Sequence, residues 1–82
     1  DRQGNSPLHL AARAGHLDLV VFYLWLGLDP NKAGQNLWTP LHEAMSWGHH
    51  NVTRQLITHG ALLSAANVHG HTPLQLALLF GH

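Results

Sequence analysis

The 82-residue sequence predicts an all-α fold, a solenoid of stacked helix-turn-helix units, and three observations carry that prediction. Written in blocks of 33 residues, SPLHLAARAGH (6–16) falls over TPLHEAMSWGH (39–49) and TPLQLALLFGH (72–82) without a gap. Each of these stretches opens on Ser or Thr followed by Pro, and each closes on Gly followed by His. Pro7, Pro40 and Pro73 coincide, as do Leu8, Leu41 and Leu74, and Ala11, Ala44 and Ala77. Gly27 and Gly60 carry the match into the second half of the unit. The register makes the chain a single array with units at 1–33 and 34–66 and a partial unit at 67–82.

The elements follow in order from local chemistry. Ser6, Thr39 and Thr72 are helix N-caps, whose hydroxyls accept from otherwise unpaired backbone N–H groups. The Pro after each cap sits at the first helical position, where its missing N–H costs nothing. Gly15, Gly48 and Gly81 suit the left-handed residue that ends a helix. A second helix is expected over about 17–26 and about 50–59, ended by Gly27 and Gly60. Asp29-Pro30-Asn31 and Gly34-Gln35-Asn36 are turn formers, so an extended loop leads to the next Thr-Pro pair. Two departures stand out. Leu37 occupies the place of Gly4 and Gly70, where a positive φ costs a branched side chain roughly 1–2 kcal/mol. Leu62-Leu63-Ser64 replaces the turn at Asp29–Asn31, which predicts an irregular loop between the second and third units.

Composition bounds the function. Four Lys and Arg balance four Asp and Glu, so the formal net charge is zero with His neutral. That balance lacks the basic footprint of a nucleic-acid binder and of a protein drawn to anionic membranes. The longest apolar run, Leu19–Leu26, covers less than half of the roughly 20 residues that span a bilayer. No secretory leader is expected. The absence of cysteine removes disulfides, thiolate metal sites and thiol nucleophiles. At this length a chain buries only about 60–65% of its unfolded surface, so marginal stability is expected.

The stretch DRQGNSPLHLAARAGHLDLVVFYLWLGLDPNKA resembles an ankyrin repeat, and TPLH at 39–42 is that family's most recognisable tetrapeptide. The resemblance covers the whole chain. It implies an ankyrin-type helix-turn-helix solenoid with protruding loops or β-hairpins, an intracellular setting in cytoplasm or nucleus, and no cofactor. The implied role is protein–protein interaction, as a scaffold or adaptor. Solenoid ends need capping units with polar outer faces, and neither end supplies one. The chain is therefore expected to be a fragment of a larger protein, or to self-associate through its uncapped ends. The alternative role is that of a structural or autoregulatory segment packing against other domains of its own protein.

Nine histidines raise the question of a metal site. His9 and His42 hold the TPLH position, and His16, His49 and His82 follow the turn glycine; the resemblance implies that both sets are structural and bridge loops. His69-Gly70-His71 offers two ring nitrogens at a loop tip, but no nearby Asp, Glu or Cys completes a tetrahedral set. No metal site is expected. Nor is catalysis: Asp1, Asp18, Asp29 and Glu43 fall in different parts of the unit, Ser6 is committed as a cap, and the glycines lie at repeat spacing.

The resemblance also implies where a partner binds, along a concave face formed by loop tips and the exposed side of each first helix. Carried onto this chain, that face holds Arg2, Gln3, Asn5, Arg13 and Ala14 in the first unit. Gln35, Asn36, Trp38, Ser46 and Trp47 follow in the second, and Val68, His69, His71, Leu79 and Phe80 in the third. The first set is polar and the others are rich in aromatic residues, which are enriched at interface hot spots. The expected site centres on Trp38 and Trp47 and extends to His71 and Phe80. A second apolar patch is expected on the opposite side, where Leu17, Val21 and Trp25 recur at i, i+4 and i+8. Their counterparts one unit later, His50, Arg54 and Thr58, are polar, as a solvated helix face should be.

Overall fold

A computed structural model describes residues 4–82. Its five α-helices are α1 (Pro7–Ala14), α2 (Leu17–Trp25), α3 (Pro40–Ser46), α4 (His50–Thr58) and α5 (Pro73–Leu79), with one 3₁₀ turn at Gln35–Leu37. The described residues contain no strand. The protruding loops close on single backbone bonds instead, Gly34 N–H to the Trp38 carbonyl at 2.7 Å and Asn67 N–H to the His71 carbonyl at 2.9 Å.

The helix starts show why the Thr-Pro unit works. Ser6, Thr39 and Thr72 each accept from the backbone N–H three residues on, and the side chains of His9, His42 and Gln75 bond back to the cap's own N–H. Two end-of-helix donors are thereby satisfied at each start, worth on the order of 1 kcal/mol per cap. Gly15 and Gly48, both at φ 74°, turn the chain so that the N–H of His16 and of His49 reaches back to the carbonyls of Ala11 and Ala44.

Stacking then follows from which faces are apolar. The first helices form one row, α1 on α3 on α5, and the second helices form another, α2 on α4. Leu8, Val20, Leu41, Val52 and Leu56 are buried between the rows, and fully burying each contributes roughly 1.5–3 kcal/mol. Ala11, Ala12 and Ala44 are buried with them, small enough to let neighbouring helices approach. The continuous core draws only on the first two units.

The two departures in the sequence resolve differently. Leu37 does take a positive φ of 60°, preceded by Asn36 at 57°, so the loop carries the expected strain at a residue with a Cβ. The loop after α4 keeps the turn of the preceding unit, at 63–64 as at 30–31. The expected irregularity is absent because Asn31 reaches over from the first unit. Its Oδ1 accepts from Leu62 N–H at 2.8 Å and its Nδ2 donates to the Gly60 carbonyl at 3.0 Å.

Candidate functional site

The concave face is held from beneath by two buried histidines. His9 Nδ1 accepts from Ser6 N–H at 3.0 Å, which leaves the ring proton on Nε2, and Nε2 donates 2.8 Å across to the Trp38 carbonyl. His42 repeats the arrangement one unit on, with Nδ1 against Thr39 N–H at 3.0 Å and Nε2 donating to the His71 carbonyl at 3.0 Å. Each first helix thus grips the loop of the following unit, and the grip on Trp38 fixes the root of its side chain. Burial pushes both imidazoles below their ordinary pKa, because a charged ring in the interior is poorly solvated.

Above this layer two hollows lie side by side and share a wall made by Trp38 and Trp47. One, of about 300 Å³, is lined by Trp38, Ser46, Trp47, Phe80 and His82. The other, of about 320 Å³, is lined by Arg13, Gln35, Asn36, Trp38, Glu43 and Trp47. Trp47 is 58% exposed, whereas Trp38 is half-buried with its ring tilted on His42 at 5.9 Å. Arg13 donates to Glu43 through two parallel bonds, Nε to Oε1 at 3.2 Å and Nη2 to Oε2 at 3.0 Å. That pairing holds the guanidinium still more firmly protonated than usual. Glu43 is buried while Arg13 keeps an edge toward solvent.

Seven of the residues expected on the face therefore come together: Arg13, Gln35, Asn36, Trp38, Ser46, Trp47 and Phe80. His69, His71 and Leu79 line neither hollow, although His69 and Leu79 are exposed. Arg2 and Gln3 lie outside the described residues. Asn5, expected on the exposed face, is buried, and its Oδ1 accepts from Gln35 N–H at 3.1 Å; it is an inter-unit tie, not a surface. Ser46 is buried too and donates to the Glu43 carbonyl.

Sequence reasoning missed Glu43 and His82. A signal for Glu43 was present: it stands where the other units carry Leu10 and Leu76, so one charge sits in an otherwise apolar repeat position. The second patch also changes membership. Leu17 is half-buried and packs against the core, while Phe22 and Leu26 join Val21 and Trp25 on the exposed side, Phe22 stacking on Trp25 at 6.4 Å. Because α2 is apolar apart from Asp18 in its first turn, its pattern could not say which side of the rest faces water.

A family model for ankyrin repeats, in three copies, matches residues 8–82. The chain belongs to the ankyrin-repeat family. Ankyrin repeats are generally protein–protein interaction modules, and the chain is similar to regulatory proteins. It is 38% identical over 73 residues to mouse (Mus musculus) protein phosphatase 1 regulatory subunit 27, covering 89% of this chain and 47% of that protein. It is 37% identical over 65 residues to an ankyrin repeat-containing protein of Schizosaccharomyces pombe, covering 79% of this chain and 31% of the relative. Similarity extends to the human (Homo sapiens) transient receptor potential cation channel subfamily A member 1, at 35% over 85 residues, which is 8% of that channel. The chain thus spans less than half the length of these relatives. No helix of the described residues is long and apolar enough to cross a membrane.

Proposed function

We propose that this ankyrin array is a non-catalytic, intracellular module that binds a protein partner through its concave aromatic face. Residues 1–82 form one array within a larger protein, and neither cofactor nor metal is required. The observation that carries the reading is the pair Trp38 and Trp47, two large aromatics inside a complete unit that wall two adjoining hollows while one of them stays largely exposed. Truncating an aromatic of this kind at an interface centre typically costs 2 kcal/mol or more. The exposed His69 and Leu79, with His71, are read as extending the face, and the relative named as a phosphatase regulatory subunit fits a binding role beside an enzyme.

The test is capture from a cell lysate, quantified by mass spectrometry, with the parent chain, a Trp38→Ala/Trp47→Ala variant and an Arg54→Ala variant as bait. At least one captured protein should fall about tenfold or more with the double variant, at unchanged helical content, and hold steady with Arg54→Ala. Equal capture by parent and double variant overturns the reading.

A second reading, a segment that packs on its own protein or on a further copy of the chain, is favoured by the N-terminal end. There Pro7, Leu10 and Leu19 are exposed, although their counterparts Pro40, Glu43 and Val52 are buried by the preceding unit. The exposed Val21, Phe22, Trp25 and Leu26 on the outer side of α2 add to it.

A further inference from the structure

The two hollows differ in what they can recognise, and the difference starts with Glu43. A carboxylate buried at this depth needs a partner, and Arg13 supplies it by a two-point fork from the neighbouring unit. A guanidinium carries five N–H donors. The fork uses two, which leaves three on a rigidly held group whose side chain is 40% exposed. Those donors belong to the hollow that also holds Gln35 and Asn36, both exposed. Glu43 fixes the guanidinium in place, so an incoming acceptor meets donors already ordered.

Of the two charged groups that line this hollow, only the Arg13 guanidinium is open to solvent. Among the described residues the side-chain carboxylates are Asp18, Asp29 and Glu43. Asp18 opens α2 and Asp29 closes the turn after it by accepting from Asn31 N–H; neither lines either hollow. Glu43 faces Arg13 from inside. Among the described residues, the surface lining the two hollows therefore presents donors and no exposed acidic side chain. Across the shared tryptophan wall the second hollow presents Phe80 and both indoles, with Ser46 turned to its own helix.

We propose that the face reads a pair of neighbouring partner side chains: a bulky apolar residue seated between Trp38, Trp47 and Phe80, and an aspartate or glutamate bound by the free edge of Arg13 beside Gln35 and Asn36. Alternate side chains of an extended segment point to the same side, roughly 6.6 Å apart, so the two side chains stand two positions apart to straddle the tryptophan wall. Arg13 sets the choice of acid over amide, and Glu43 is its positioning residue. This inference rests on the concave face being the binding surface.

The experiment is selection of random heptapeptides displayed on phage against the immobilised chain, followed by fluorescence anisotropy with the enriched peptides. The expected consensus carries an aromatic or large aliphatic residue with Asp or Glu two positions away. Replacing that acid by its amide in the peptide should weaken binding about tenfold. The Arg13→Lys variant, which keeps a cation beside Glu43 but loses the fork, should shrink this preference to about threefold or less. Trp-dependent peptides without an acid, or an acid-to-amide change without effect, overturn the proposal and leave the binding face standing. Peptides that bind the Trp38→Ala/Trp47→Ala variant as tightly as the parent, or a selection yielding no Trp-dependent peptide, overturn the face and the proposal together.

Discussion

The junction between the first and second units and the junction between the second and third use the same helix positions with different chemistry. At the first, the Arg13–Glu43 fork, the Asn5 bond to Gln35, the His9 bond to the Trp38 carbonyl and the His49 bond to the Arg13 carbonyl all cross over. At the second, His42 still reaches the His71 carbonyl and Val68 N–H reaches the Asn36 carbonyl, but no ion pair crosses among the described residues. The continuous apolar core also stops at the second unit, although Leu76 and Ala77 of α5 are buried. A repeat sequence thus yields unequal joints, since each joint depends on the residues that differ between units. The aromatic hollow sits on the more lightly tied joint, where Trp47 meets Phe80 and His82.

The largest expected contrast lies in the core. Leu41 and Leu74 share one repeat position, yet Leu41 is fully buried and Leu74 is 54% exposed. Leu41→Ala should cost about 2–5 kcal/mol, through lost burial and the cavity left behind. Leu74→Ala should cost less than about 1 kcal/mol, since much of its surface already meets water. Urea denaturation of the two variants side by side checks this, and comparable losses would mean that the third unit is as firmly built in as the second.

Smaller but sharper is the comparison of Gly15→Ala with Gly48→Ala. Both glycines have φ 74°, and a Cβ at either would lie 2.7 Å from the following unit's imidazole, His49 or His82. Left-handed strain of roughly 1–2 kcal/mol is common to both. Displacing His49 also breaks its 2.9 Å bond to the Arg13 carbonyl, a loss of about 1 kcal/mol. Gly15→Ala should therefore be the costlier by about that amount in thermal melts, and equal losses would show that the His49 bond contributes nothing.

The smallest effect concerns pH and should act on both joints alike. His9 and His42 have folded-state pKa values below the ordinary imidazole value of about 6.5, because burial disfavours the charged ring. The unfolded chain takes up protons first as pH falls below about 6.5, so unfolding binds protons and stability declines through that window, until the folded rings titrate too. Above it the contribution is fully present. His42→Gln should keep the N-terminal cap, as Gln75 does at the same repeat position, while losing the bond to the His71 carbonyl. About 1 kcal/mol is expected at neutral pH. Melting temperatures from pH 7.5 to 5 should show a shallower acid decline for the variant than for the parent.

Much of the fold was legible because its signals are local and repeated. A Thr-Pro pair starts a helix and a glycine ends it wherever they fall, and three superposed copies remove ambiguity about the period. The aromatic wall between the two hollows was legible in part, since Trp38 and Trp47 stand out at positions filled by Asn5 and Ala14 in the first unit. The same logic failed at Asn5 itself, because a side chain short enough to fold back onto Gln35 is buried at a position where an indole is not.

The sequence by itself determined the caps and the helix ends, which depend on residues a few positions apart, and the period, which its own repetition makes plain. Only the tertiary structure decided that Arg13 and Glu43, thirty residues apart, would meet as a two-point fork. It alone decided that Asn31 would hold the loop at Leu62, and that Phe22 and Leu26 rather than Leu17 would face outward from α2. Those outcomes turn on how one unit is rotated against the next, which is set by side-chain packing across the joint, and a one-dimensional pattern does not contain that rotation.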